Sequence, residues 1–185
     1  SRLDDLNRDP KVAQYDQETQ QAIGLLSASK SRQAFDVSQE PESVRDRYGR
    51  SRYAQSVLLA RRLIEAGVSI VQANMGYLNN WDTHEANCRD LKDRLLPPLD
   101  QAVSALLDDL NETGLIEDTL VAIFGEFGRT PRINKNGGRD HWGNLCTLAF
   151  VGGGLKMGQV VGRSDRNGTR PASDPISSTS VLATV

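Results

Sequence analysis

The chain holds two histidines in 185 residues, and each stands in a polar stretch with an aspartate close by. His84 lies in Asn80-Trp81-Asp82-Thr83-His84, and His141 in Gly138-Arg139-Asp140-His141-Trp142. A neutral imidazole with nearby carboxylates is a usual donor set for zinc or a similar divalent ion. In an extended Asp-x-His the side chains of Asp82 and His84 point roughly the same way, because alternate residues share a face. Glu126 adds a carboxylate in Gly125-Glu126-Phe127-Gly128-Arg129, where flanking glycines let the backbone turn sharply or approach a ligand. The candidate metal ligands are therefore Asp82, His84, Glu126, Asp140 and His141, for an ion left open among zinc, calcium, magnesium and manganese. Arg129 and Arg139 are candidates for holding an anion, since a guanidinium grips phosphate or sulfate oxygens with two prongs.

Plainer roles compete with each of these. Asp82 or Thr83 can cap the helix that follows. Glu126 can simply pair with Arg129 or Arg139, and either arginine with another neighbouring acid. Trp81 and Trp142 either wall a pocket or pack beneath the loops. Gly152-Gly153-Gly154 reads as a turn, because the GxxxxGK[ST] phosphate loop is absent. Cys88 and Cys146 match no paired-cysteine metal or redox pattern, and are expected to be free, partly buried thiols.

The elements that must position these residues can be read from periodicity. Good helix formers from Asp9 to about Ser29 predict a helix. AFDVSQEPESVRDRYGR predicts a loop and then a short helix starting near Pro41. SRYAQSVLLARRLIEAG places Val57, Leu58, Leu59, Leu63 and Ile64 on a helical stripe, with Gly67 as its stop. VSIVQANMG is a β-branched run of strand length. From about Arg89 to Glu112, apolar residues from Leu91 to Leu110 recur near helical period, and Pro97 and Pro98 must kink or interrupt the helix. Gly114 ends it. DTLVAIF reads as a second strand, CTLAFVGGG as a third, and MGQVVGR as a short edge strand, with a long polar loop from Gly125 to Asn144. Helices alternating with strands imply an α/β fold, a parallel-sheet sandwich with helices on both faces. Ligands in such folds bind beyond the carboxyl ends of the strands, which is where both histidines fall.

Composition narrows the classes. Lys and Arg number 22 against 24 Asp and Glu, for a net charge of -2, and the basic residues form no stripe, so nothing points to nucleic acid. No apolar stretch approaches the roughly 18 residues that a membrane span needs. The length suits one domain. Ser1 in place of Met, and SSTSVLATV reading as the start of a capped helix, suggest a chain cut at both ends.

ARRLIEAGVSIVQ, the loop NNWDTH, DTLVAIFGEFGRTP, GRDHW and AFVGGGLKMGQVVG together closely resemble the bacterial family catalogued as domain of unknown function 1501, over nearly the whole chain from AFDVSQEP onward. That family is similar to a sulfatase-like branch of the alkaline phosphatase superfamily. The resemblance implies that residues 1–185 are the C-terminal part of one such domain, and that Asp82 and His84 form one ligand pair. It also implies that Glu126 takes the strand end of a second, and that His141 is the later imidazole. Phe127 stands where the superfamily has its second imidazole and Glu126 replaces an Asp, so the match stops short of a two-metal site; Asp140 is a candidate compensating oxygen. The superfamily's nucleophile precedes the point where this chain starts. The function implied is metal-dependent hydrolysis of sulfate or phosphate esters, with a small anionic ester as substrate. The alternative is a catalytically degenerate binding or structural protein of the same fold. Many family members carry an export signal, which implies a periplasmic or secreted location. The oligomeric state is left open.

Overall fold

Ser51 accepts a hydrogen bond from the Ala54 amide at 3.2 Å and so starts a helix that Gly67 stops. The computed structural model describes residues 17, 19–20, 29–76 and 80–183, and the chain divides into two compact units, Ser1–Asn74 and Met75–Val185. The helix expected from Asp9 to about Ser29 falls mostly outside the described residues.

In the first unit, α1 (Ser29–Phe35), a 3₁₀ turn (Val37–Gln39), α2 (Glu42–Tyr48) and α3 (Arg52–Glu65) pack together. Pro41 directly precedes α2, where the sequence places the start of a short helix. Helix α3 ends with Gly67 at φ 92°, a left-handed conformation that costs a glycine little. The Gly67 amide then bonds the Ile64 carbonyl at 2.9 Å and the Val68 amide the Leu63 carbonyl at 3.0 Å, closing the last turn. Of the predicted stripe, Val57, Leu58 and Leu63 are buried and Leu59 and Ile64 half-buried, with Tyr48 and Ala54 buried as well. Around them, Arg62 donates to the carbonyls of Ala34 (2.9 Å) and Gln33 (2.7 Å) and pairs with Glu40, which also meets Arg61 at 2.7 Å. This clasp ties α3 to the α1 end of the unit.

VSIVQANMG does not become a strand. Residues 68–76 lie in no ladder among the described residues, and Ile70 is 88% exposed. A β-branched run has strand propensity, but a strand exists only where a neighbour accepts its hydrogen bonds.

The second unit begins with the loop that carries Asp82 and His84, followed by α4 (Asn87–Asp90), a π-helical turn (Leu91–Leu95) and α5 (Leu96–Glu112). The prolines set this break: Pro97 and Pro98 have no N–H to give and crowd the carbonyls four residues back. The turn before them widens, so that the Leu96 amide bonds Leu91. Leu95, Ala102, Ala105 and Leu110 are buried on the inner face. After a 3₁₀ turn (Leu115–Glu117), β1 (Leu120–Ile123) pairs with β4 (Ala149–Gly152), and β2 (Gly128–Arg129) with β3 (His141–Trp142). Helix α6 (Ser178–Leu182) follows Ser177, whose hydroxyl caps it. MGQVVGR forms no strand; the nearest ladder is an isolated bridge between Ser164 and Pro171.

Both ladders are antiparallel, so the expected α/β parallel-sheet sandwich with helices on both faces is not what forms among the described residues. The reason lies in the connection. Parallel neighbours need a crossover, usually a helix, to bring the chain back to the same end. Residues 124–148, which join β1 to β4, contain no helix, so the chain returns in the opposite direction. Cys88 and Cys146 are free, as expected, but exposed and not partly buried.

Leu58 is fully buried in the first unit. Leu58→Ala is expected to cost about 2–5 kcal/mol through lost burial and the cavity left behind, measurable as a lowered urea midpoint with little change in slope.

Candidate functional site

Two segments about fifty residues apart in sequence lie against each other. The Ala86 amide bonds the Asn136 carbonyl at 3.1 Å, the Asn87 amide the Gly137 carbonyl at 2.9 Å, and the Arg139 amide the Thr83 carbonyl at 3.0 Å. Glu85 and Gly137 form an antiparallel bridge. The approach is so close that a Cβ on Gly138 would sit 1.9 Å from the carbonyl carbon and oxygen of His84. Only glycine fits there.

Asn134 holds the second segment in shape. Its side-chain oxygen accepts from the amides of Asn136 (2.9 Å) and Gly138 (3.0 Å), while its Nδ2 donates to the His84 carbonyl (2.9 Å) and to Asp140 Oδ1 (3.1 Å). Such side-chain mimicry of a backbone turn is what Asn does well. The β2–β3 ladder sets Arg129 opposite His141, and the Thr130 amide adds a bond to the Asp140 carbonyl at 2.9 Å. On the first segment, the buried hydroxyl of Thr83 donates to Asn87 Oδ1 at 2.5 Å, which pins the residue between Asp82 and His84.

Asp82, His84 and His141 consequently converge. His84 Nε2 lies 3.2 Å from His141 Nε2, and Asp82 Oδ1 lies 3.1 Å from the first and 2.8 Å from the second. Asp140 Oδ1 meets His84 Nδ1 at 2.8 Å. A carboxylate there fixes the proton on Nδ1 and turns the Nε2 lone pair toward the other two atoms. Arg129 Nη1 completes the group at 2.6 Å from Asp82 Oδ1. The Asp82 carboxyl is held down from its ordinary 3.8 to about 2, first by the bond from His141 and then by that from Arg129. Asp140 is also lowered, by its bonds with His84 and Asn134.

The three converging atoms could hold a metal ion. A tetrahedral ion with bonds of about 2.0–2.1 Å keeps its donors about 3.3 Å apart. The separations of 2.8, 3.1 and 3.2 Å come within about half an ångström of that value, and two imidazoles with one carboxylate are a zinc-type set.

The other residues singled out by sequence stand elsewhere. Glu126 is exposed and outside the cluster, and Asp140 acts through His84 without joining the three donors. Arg139 turns its guanidinium to the carbonyls of Thr130 (2.9 Å) and Pro131 (3.4 Å). Phe127 lies against His141, with ring centroids 4.4 Å apart. Both tryptophans are half-buried and donate to backbone, Trp81 to Met75 (2.6 Å) and Trp142 to Thr169 (3.0 Å), so they brace loops. Sequence reasoning passed over Asn134 and Gly138. The turn-forming composition of Asn134-Lys135-Asn136-Gly137-Gly138 was the available signal.

Among the described residues the protein is a chain of helices and two short antiparallel ladders that carries an Asp/His/His cluster. The chain belongs to the family described as Protein of unknown function (DUF1501), which matches it over residues 1–185. No curated protein and no solved structure matches it.

Gly138→Ala is expected to push the two segments apart, because the atoms it would strike are backbone. The contact between the rings of His84 and His141, now 4.9 Å between centroids, should vanish from nuclear Overhauser spectra, while α5 stays helical by circular dichroism. Asp82 contributes folding stability in full above its ordinary value of 3.8, and that contribution is lost as pH falls toward about 2. The stability difference between wild type and Asp82→Asn, measured in chelator by urea unfolding, should therefore be constant near neutral pH and shrink through that acid window.

Proposed function

We propose that Asp82, His84 and His141 bind a divalent ion, with zinc the best match, and that the protein hydrolyses sulfate or phosphate esters with it. The observation that carries this reading is the convergence of His84 Nε2, His141 Nε2 and Asp82 Oδ1 within 3.2 Å of one another. Two lone-pair-bearing nitrogens and a carboxylate oxygen repel unless a proton or a cation lies among them. The reading stands on these donors and on the resemblance to sulfatase-like proteins, since the parallel sheet of that superfamily is not part of the described fold.

Each residue has a role in it. Asp140 orients His84 through Nδ1, so that Nε2 faces the ion. Asn134 holds Asp140 in place. Arg129, already beside Asp82, supplies a guanidinium for the ester oxyanion. The ion when bound supplies Lewis acidity toward an ester oxygen at neutral pH. In the superfamily that the chain resembles, the nucleophile comes from a segment preceding these residues. Export to the periplasm or beyond belongs to the same resemblance.

A second reading is a binding protein that keeps the site without catalysis. Phe127 favours it, because its ring packs on His141 at 4.4 Å where a further imidazole would serve a second ion.

Zinc titration of the chain should show one tight site, and His84→Ala or His141→Ala should weaken it by about a hundredfold or more. Zinc affinity unchanged in both variants counts against the site. For catalysis, the full-length protein is assayed with aryl sulfate and aryl phosphate, with and without chelator. Metal-dependent turnover supports the hydrolase; tight zinc with no turnover of either ester selects the binding protein.

A further inference from the structure

We propose that Arg94 is the specificity residue of this site, receiving a carboxylate carried by the ester at a distance from its reacting group; the inference rests on the metal reading above. An open cleft of about 310 Å³ adjoins the cluster, lined by Asn80, Asp82, His84, Glu85, Asp90 and Arg94 among others. Asp82 and His84, two of the three residues of the cluster, thus line it, and Arg94 is the cation on its wall. A cleft of this size lies at the lower end of small-molecule sites. It exceeds what a lone tetrahedral anion fills, so a ligand seated at Asp82 and His84 extends along the wall.

The charges on that wall decide what the extension carries. Asp82 is neutralised by Arg129 at 2.6 Å, and Asp90 by Arg94 at 3.2 Å, with Arg89 at 3.7 Å. Asp90 occupies one side of the Arg94 guanidinium. A guanidinium has five N–H donors, and the Arg94 side chain is 51% exposed, so a second planar acceptor can dock on its open edge. Glu85 and Asp90 nearby penalise a group of high negative charge, which favours a singly charged carboxylate over a second phosphate.

The placement of Arg94 follows from Pro97 and Pro98. The π turn they impose inserts one residue into the helical repeat, shifting the faces on its two sides by about 100° relative to each other. Arg94 lies within that turn, beside the buried Leu95 that anchors it to the inner face.

The test uses unreactive probes, so that it does not depend on turnover. Zinc-loaded chain is titrated calorimetrically with phenylphosphonate and with 4-carboxyphenylphosphonate. Wild type is expected to prefer the carboxylated probe by about tenfold, the lower range for a charge-assisted fork at a half-exposed site. Arg94→Met should abolish the preference while leaving zinc and phenylphosphonate affinities within about twofold, as for a surface change. Arg94→Lys, which keeps the charge but not the fork, should retain part of it. Arg89→Met is the control for general charge and should leave it intact.

Equal binding of the two probes by wild type, a preference that survives Arg94→Met, or its loss in Arg89→Met overturns the assignment to Arg94 and leaves the metal site standing. Zinc binding without affinity for either probe does the same. Failure of wild type to bind zinc, read before any probe is added, removes the metal reading and this inference with it.

Discussion

Everything at the site depends on the close approach of residues 83–87 to residues 136–139. Three backbone hydrogen bonds and one antiparallel bridge join the two segments, and they can do so because position 138 has no side chain. A Cβ there would overlap the His84 carbonyl, so the contact tolerates nothing larger than hydrogen. From this single approach follow the meeting of His84 with Asp140, and of Asp82 with His141. The short β2–β3 ladder contributes the rest by holding Arg129 opposite His141.

The electrostatics of the cluster are as constrained as its geometry. Asp82 Oδ1 stands within 3.1 Å of two imidazole nitrogens and one guanidinium nitrogen, an acceptor shared among three partners. That concentration of positive and hydrogen-bonding partners is what drives its carboxyl down to about 2. Asp140 plays a different part. By fixing the tautomer of His84 it leaves Nε2 free to face the other donors, the arrangement that an imidazole needs in order to ligate. Two carboxylates of the same kind thus divide the work of donor and orienter, and their positions relative to His84 decide which does which.

Helices α2, α3 and α5 were legible because their signals are local, whereas α1 (Ser29–Phe35) was not read. Ser51 and Gly67 mark the ends of α3 within a turn of the bonds they make, and Pro97 and Pro98 disrupt the helix at the residues whose amides they lack. The sheet was misread because the strand signal is only half of a strand. DTLVAIF and CTLAFVGGG do pair, but the helix-free stretch between them dictates antiparallel pairing, a clue present in the sequence and outweighed by the alternation of helices and strands. VSIVQANMG has the composition of a buried strand and finds no ladder among the described residues.

The sequence by itself determined which groups are available for chemistry: two imidazoles, each with an aspartate within two residues, and arginines close behind. It determined the limits of α3 and the break before α5 as well, since caps and prolines act on neighbours no more than about four residues away. Tertiary structure alone decided that Asp82 joins the histidines, that Asp140 serves His84 and not the adjacent His141, and that Glu126 stands apart. Those partnerships span more than fifty residues of chain. They arise from the fit of one backbone segment against another, which no periodicity in either segment encodes.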